Sequence, residues 1–203
     1  ALMGWYMLKI EQPHQAANFF QRMLQKKATP EAVRGMALSL SHQSKDEEAY
    51  AFVTGHLDLL AGEDAFLLDQ LSFPFKGEGK FDIDERVVSR YSEAIQKTES
   101  SDHARLIGWY AYNSRQFEPA RAWFAKAFEW KAEADSLKGL ALTLTRLGEK
   151  KALADLRQQH GEAYQAVFAE LKSAAAPRER AGKSVSAPAG VQAGYLSRLQ
   201  KKD

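Results

Sequence analysis

The chain has 203 residues, no cysteine, 45% hydrophobic and 27% charged residues, and a formal net charge of +2. The missing thiols exclude disulfides, thiolate metal sites and a cysteine nucleophile, and no apolar run approaches the roughly 20 residues that span a bilayer as a helix. From Lys172 onward seven basic residues stand against two acidic ones, which gives that end +5 and leaves −3 for residues 1–171. Such an end suits an acidic partner or a membrane surface, or is a solvated tail.

The first element begins Gly4-Trp5-Tyr6 and opens a paragraph that the chain repeats. Residues 4–40 recur as residues 108–144, at an offset of 104 without a gap and with 12 of 37 positions identical. No secretory leader is present. Ala1–Trp5 already lie in a repeat, so the chain reads as a piece of a longer protein and the missing leader sets no compartment. Pro13 fits the first turn of a second helix, where its missing N–H costs nothing. Ala16, Phe20 and Met23 fall on one face of that helix. Thr29-Pro30-Glu31 reads as a cap, a first-turn proline and a first-turn acid, and the third helix carries Gly35 to Leu40.

Ser44-Lys45-Asp46-Glu47 reads as a capping box, and helices are expected over 46–61 and 63–71, broken by Gly62. Phe73 to Phe81 is a loop by composition. Its three phenylalanines either pin it to the helices or make it a sticky contact loop. Asp82-Ile83-Asp84-Glu85 starts a helix to about Lys97 with Tyr91, Ala94 and Ile95 on its apolar face. Ser101-Asp102 starts the second copy, Pro119 sits in the first turn of its second helix, and Ala120, Phe124 and Ala127 repeat the earlier face. Trp123 and Trp130 are expected to pack. Residues 173–194, rich in Ala, Pro, Ser and Gly, read as a linker. Tyr195, Leu196 and Leu199 in the basic segment 195–203 make either a short docking face or the start of a next domain.

Within each copy the glycines are 31 residues apart, Gly4 to Gly35 and Gly108 to Gly139. Gly108, Tyr112, Phe117, Ala120, Phe124 and Ala127 resemble the tetratricopeptide repeat (TPR) pattern of a small residue and aromatics followed by Ala, aromatic, Ala down a second helix. Gly4, Ala16, Phe20 and Met23 match in the first copy, and Gly35 with Ala49 and Gly139 with Ala152 match with a displaced second helix. The resemblance implies an all-α, right-handed α-solenoid of helix–turn–helix units over residues 1–172, with about ten to eleven helices.

Catalytic and metal motifs are missing. His14, His42, His56, His103 and His160 show no ligand spacing. Gly77-Glu78-Gly79 lacks the Lys-Ser/Thr of a phosphate loop, and Asp82, Asp84 and Glu85 suit a helix start. The chain is read as non-enzymatic, without cofactor or metal, and without the basic stripe that nucleic acid requires.

In the TPR family the first helix of each pair lines a concave face. The resemblance therefore implies a partner-binding groove of Trp5, Leu8, Lys9, Met36, Ser39, Arg105, Trp109, Tyr112, Asn113, Leu140 and Thr143, fitted to a protein or peptide. Two roles stand open for Trp5 and Trp109: filling space between helices, or facing a partner. Gly108–Asn113, Gly139–Thr143 and the reiterated Ala-x-x-x-Phe also resemble the repeat arrays of bacterial cellulose and exopolysaccharide export proteins. That resemblance implies a periplasmic assembly scaffold in a longer parent with a barrel. The alternatives are a cytosolic adaptor or secretion chaperone, and a helical accessory domain of an enzyme.

Overall fold

The computed structural model describes residues 1–77 and 83–171; the expected linker, the basic segment after it and Phe81 lie outside them. The described residues form eleven α-helices and two short 3-10 turns, with no strand among them. The chain divides into a first unit that ends at Phe73 and a second that begins at Pro74.

The first unit holds α1 (Leu2–Lys9), α2 (Pro13–Lys26), α3 (Pro30–Ser41), α4 (Asp46–Thr54) and α5 (Asp64–Leu71). Each packs on the next, and α1 also meets α3. Pro13 and Pro30 are the first residues of their helices, and the Thr29 hydroxyl accepts the Ala32 N–H at 3.3 Å. The single helix expected over 46–61 is instead α4 and a 3-10 turn, Leu57–Leu60. Thr54 and Gly55 are poor helix formers. The Thr54 hydroxyl donates to the Ala51 carbonyl, and the His56 N–H takes the Val53 carbonyl, tightening the last turn.

The second unit holds α6 (Glu85–Thr98), α7 (Ser101–Asn113), α8 (Phe117–Trp130), α9 (Ala134–Leu147), α10 (Lys150–His160) and α11 (Gln165–Leu171). Asp84 caps α6, its carboxylate accepting the Arg86 N–H at 2.9 Å. Ser101 opens α7, but its hydroxyl donates to the Ala127 carbonyl at 2.9 Å instead of capping its own helix. The helices α7, α8 and α9 pack mutually, α6 packs on α7, and α10 and α11 pack on α9. Of the loop phenylalanines, Phe75 is the ring that pins: it is buried, stacked on Tyr91 at 4.7 Å and edge-on to Tyr110 at 5.1 Å. Phe73 is half-buried, 5.9 Å from Tyr50. Trp123 is wholly buried, and half-buried Trp130 lies under the Lys126 ammonium at 5.8 Å.

The same turn closes α1, α3, α7 and α9, and α6 also ends in it, at Glu99. Glu11, Ser44, Arg115 and Gly148 each have a left-handed backbone, with φ of 56°, 59°, 60° and 73°. The next N–H in each case reaches back five residues, Gln12 to Met7, Lys45 to Leu40, Gln116 to Ala111 and Glu149 to Leu144, at 2.8–3.1 Å. These are Schellman closures, which satisfy carbonyls that the helix end would leave orphaned. They correct the expected capping box at Ser44. That residue ends α3 rather than starting α4, whose first turn receives no side-chain cap.

One ring explains the 31-residue glycine spacing. Phe20 of α2 is wholly buried and lies against Gly4 of α1 and Gly35 of α3; a Cβ on those glycines would stand 2.7 and 2.2 Å from the ring. Phe124 of α8 lies between Gly108 and Gly139 in the same way, at 3.0 and 2.3 Å. A second-helix phenylalanine thus fills the notch made by a glycine on each neighbouring first helix. Carbon–carbon contact is optimal near 3.5–4.0 Å, so any side chain at those glycines displaces the ring.

Candidate partner-binding surface

The tryptophans of the repeated Gly-Trp-Tyr are placed alike. Trp5 and Trp109 are half-buried and meet the notch phenylalanine edge to face, with centroids 5.0 Å from Phe20 and 4.8 Å from Phe124. The Trp5 indole N–H donates to Glu31 Oε1 at 3.0 Å, and that of Trp109 to Asp135 Oδ2 at 2.9 Å. Each acid is the second residue of the next first helix, α3 or α9. Phenylalanine and carboxylate together set the indole's orientation while part of the ring stays open to solvent.

Within the first unit, Lys9 is exposed beside Trp5, and half-buried Met36 packs on the cluster of Leu8, Ala16 and Phe20. Within the second, Asn113 is exposed and Arg105 is partly exposed. Arg105 bridges Asp102 at 2.9 Å, Asp135 at 3.4 Å and Glu133. The Lys131 ammonium, 2.6 Å from Glu133, is the main cause holding that carboxyl below its ordinary range; burial opposes it and Arg105 adds to it.

Five residues expected to face the groove are buried: Leu8, Ser39, Tyr112, Leu140 and Thr143. The Ser39 and Thr143 hydroxyls each donate at 2.7 Å to the carbonyl four residues back, Gly35 and Gly139. They satisfy themselves inside their own helices. The Tyr112 ring packs on Trp109 and Phe117, and its hydroxyl accepts from Arg146 Nε at 3.2 Å. What reaches solvent from the expected set is Trp5, Lys9, Met36, Arg105, Trp109 and Asn113. Sequence reasoning missed Glu31, Asp135 and Glu133 as members of this surface. For Glu31 and Asp135 a signal was present, an acid 26 residues after each repeated tryptophan, but a first-turn acid already had an explanation in the helix dipole.

Among the histidines, His103 Nδ1 lies 2.7 Å from the Tyr91 hydroxyl, and burial against Phe128 and Tyr164 lowers the pKa of His160. Among the described residues no three His, Cys, Asp or Glu side chains gather to hold a metal ion, and no helix is long and apolar enough to cross a membrane.

No family model and no curated protein matches the chain. Among solved structures it is similar to MamA residues 41 to the end from Desulfovibrio magneticus RS-1. The TM-score is 0.57 at 15% identity, over 86% of this chain and 94% of that one. It is also similar to a MamA RS-1 double mutant termed ArsTM, with a TM-score of 0.58 at 15% identity over 85% and 94%. At that identity the likeness concerns fold, and with the helix pairing above it establishes an all-α, TPR-like α-solenoid.

Proposed function

We propose that the chain is a non-enzymatic protein-interaction scaffold whose first helices receive a protein or peptide partner. The observation that carries this reading is the duplicated tryptophan. In both copies a partly exposed indole is fixed by a ring contact and by a carboxylate on the following first helix. A preset aromatic offers large contact area at little entropic cost, the property of binding hot spots. Lys9 beside Trp5, and Arg105 and Asn113 beside Trp109, supply donors for register.

The test separates packing from binding. Lys9→Glu and Asn113→Glu change exposed side chains and are expected to keep the melting temperature while weakening partner capture. Trp109→Ala is expected to lower both. If the two charge variants retain full capture, and Trp109→Ala loses stability alone, the tryptophans are packing elements and the proposal fails.

Within this class, the resemblance of Gly108–Asn113 and Gly139–Thr143 to exopolysaccharide export repeats supports a narrower role, a periplasmic assembly module of cellulose export. Deleting the gene tests it: polymer export must fall, and unchanged export refutes it.

A further inference from the structure

Three helices open on a glutamate. Glu63 stands at the cap position of α5, Glu133 at that of α9 and Glu149 at that of α10, and none of the three side chains caps its own helix. Cap positions favour Ser, Thr, Asp and Asn, so the glutamates answer another need. Each takes the guanidinium of an arginine two helices back. Arg34 of α3 bridges Glu63 at 3.1 Å, Arg105 of α7 bridges Glu133, and Arg121 of α8 bridges Glu149. The sequence separations are 29, 28 and 28 residues. All six side chains are only 26–38% exposed, so salt screens these pairs less than it would pairs in open solvent.

Arg105 does more than the other two. It also holds Asp102 of its own helix at 2.9 Å and Asp135 of α9 at 3.4 Å. The Asp135 oxygen that it approaches is Oδ2, which also accepts the Trp109 indole N–H at 2.9 Å. One guanidinium therefore gathers the first turn of α9 against α7 and shares an acceptor with the bond that sets the indole. A planar fork suits this task, because it presents donors in fixed directions as a lysine ammonium does not. Without Arg105, the carboxylates of Asp102, Glu133 and Asp135 are left with the Lys131 ammonium, 2.6 Å from Glu133. They then repel one another across the contact of α7 with α9, which favours Asp135 turning from the indole to water.

We propose that Arg105 is the positioning residue of the Trp109 surface. By clamping the first turn of α9 to α7 it keeps the Asp135 carboxylate on the indole, and so fixes the direction in which the ring meets a partner. This rests on the reading of Trp109 as a partner-facing residue. Arg121 makes the corresponding clamp between α8 and α10 and serves as the control.

The test reads the indole directly in the free chain. Residues 1–203 labelled with 15N give one indole N–H signal for each of the four tryptophans, assigned with Trp→Phe variants. Arg105→Gln and Glu133→Ala are expected to move the Trp109 signal upfield and to speed its exchange with water about threefold or more. Glu133→Ala keeps the guanidinium, so it separates clamping of the turn from the presence of a charge beside the ring. Arg121→Gln is expected to leave the Trp109 signal unmoved. A Trp109 signal that keeps its wild-type position in Arg105→Gln or in Glu133→Ala overturns the proposal, and so does one that moves as far in Arg121→Gln. No partner enters this readout. Its failure therefore leaves the partner-facing role of Trp109 to the Asn113→Glu capture test, and failure of that role leaves the clamp standing.

Discussion

Replacing Gly139 by alanine sets two known effects against each other. In a helix interior the change gains about 1 kcal/mol of propensity. Here the new methyl would stand 2.3 Å from Phe124 Cε1 and 2.5 Å from Cδ1 and Cζ. The ring must move by more than an ångström to restore contact distance, and it has little room. It is wholly buried, Gly108 lies against its other side, and Trp109 meets it at 4.8 Å. Overpacking of this kind costs about 1–3 kcal/mol, and the pinned ring puts Gly139→Ala at the upper end. The net loss is then ~2 kcal/mol, which lowers the melting temperature by roughly 4–8 °C for a chain of this size. At Gly108 the nearest approach is 3.0 Å, so Gly108→Ala is expected to be close to neutral, its propensity gain offsetting a mild clash. Urea titrations followed by circular dichroism measure both. A smaller ring should relieve the clash, so Phe124→Leu should cost less in Gly139→Ala than in wild type. The reasoning is refuted if Gly139→Ala is as stable as wild type, or if the two glycine variants cannot be told apart.

Ser44 holds the left-handed position that Gly148 holds in the corresponding turn, so Ser44→Gly should stabilise by about 0.5–1 kcal/mol in urea titrations, and Gly148→Ala should destabilise by about 1 kcal/mol. Phe75→Ala removes the ring between Tyr91 and Tyr110 and should cost about 3–5 kcal/mol, with Phe73→Ala, a half-buried ring, costing less than half as much by the same assay. His160 has its folded-state pKa lowered by burial, so the unfolded chain binds the proton more readily. The stability it contributes is complete above its ordinary pKa near 6.5 and is lost as pH falls below that value. The urea midpoint should therefore decline as pH falls below about 6.5, and His160→Gln should flatten that decline.

Much of this architecture is readable from the chain because the duplication repeats a packing solution. Gly4, Phe20 and Gly35, and their counterparts 104 residues on, mark where helices approach closely, and the first-turn prolines mark where two of the helices begin. The turns were harder. Glu11, Ser44 and Arg115 adopt a conformation that favours glycine, yet only Gly148 displays one. Ser44 also stands three residues before Glu47, so local pattern matched the start of a helix when tertiary closure had made it the end of another. The candidate surface was half legible. The period locates the first helices, but a repeat pattern does not say which side of a helix meets its neighbours. Ser39 and Thr143 were therefore placed in a groove although their hydroxyls bond inside their own helices. The indole acceptors escaped because a first-turn acid already had a local explanation, although each stands 26 residues after its tryptophan.

Tyr6 and Tyr110 show where reading function from an internal repeat must stop. They are the same residue at the same repeat position, and one is open to solvent while the other is closed over by Phe75. Identity between copies reflects shared descent and the packing within a helix pair, which both copies keep. Burial depends on the next element outward, which for Tyr110 is the Phe75 ring. Trp5 and Trp109 differ from that pair of tyrosines because their phenylalanine, carboxylate and exposure all recur. A feature whose surroundings are duplicated along with it can carry the same role twice. One whose surroundings are not does not carry its role from one copy to the other.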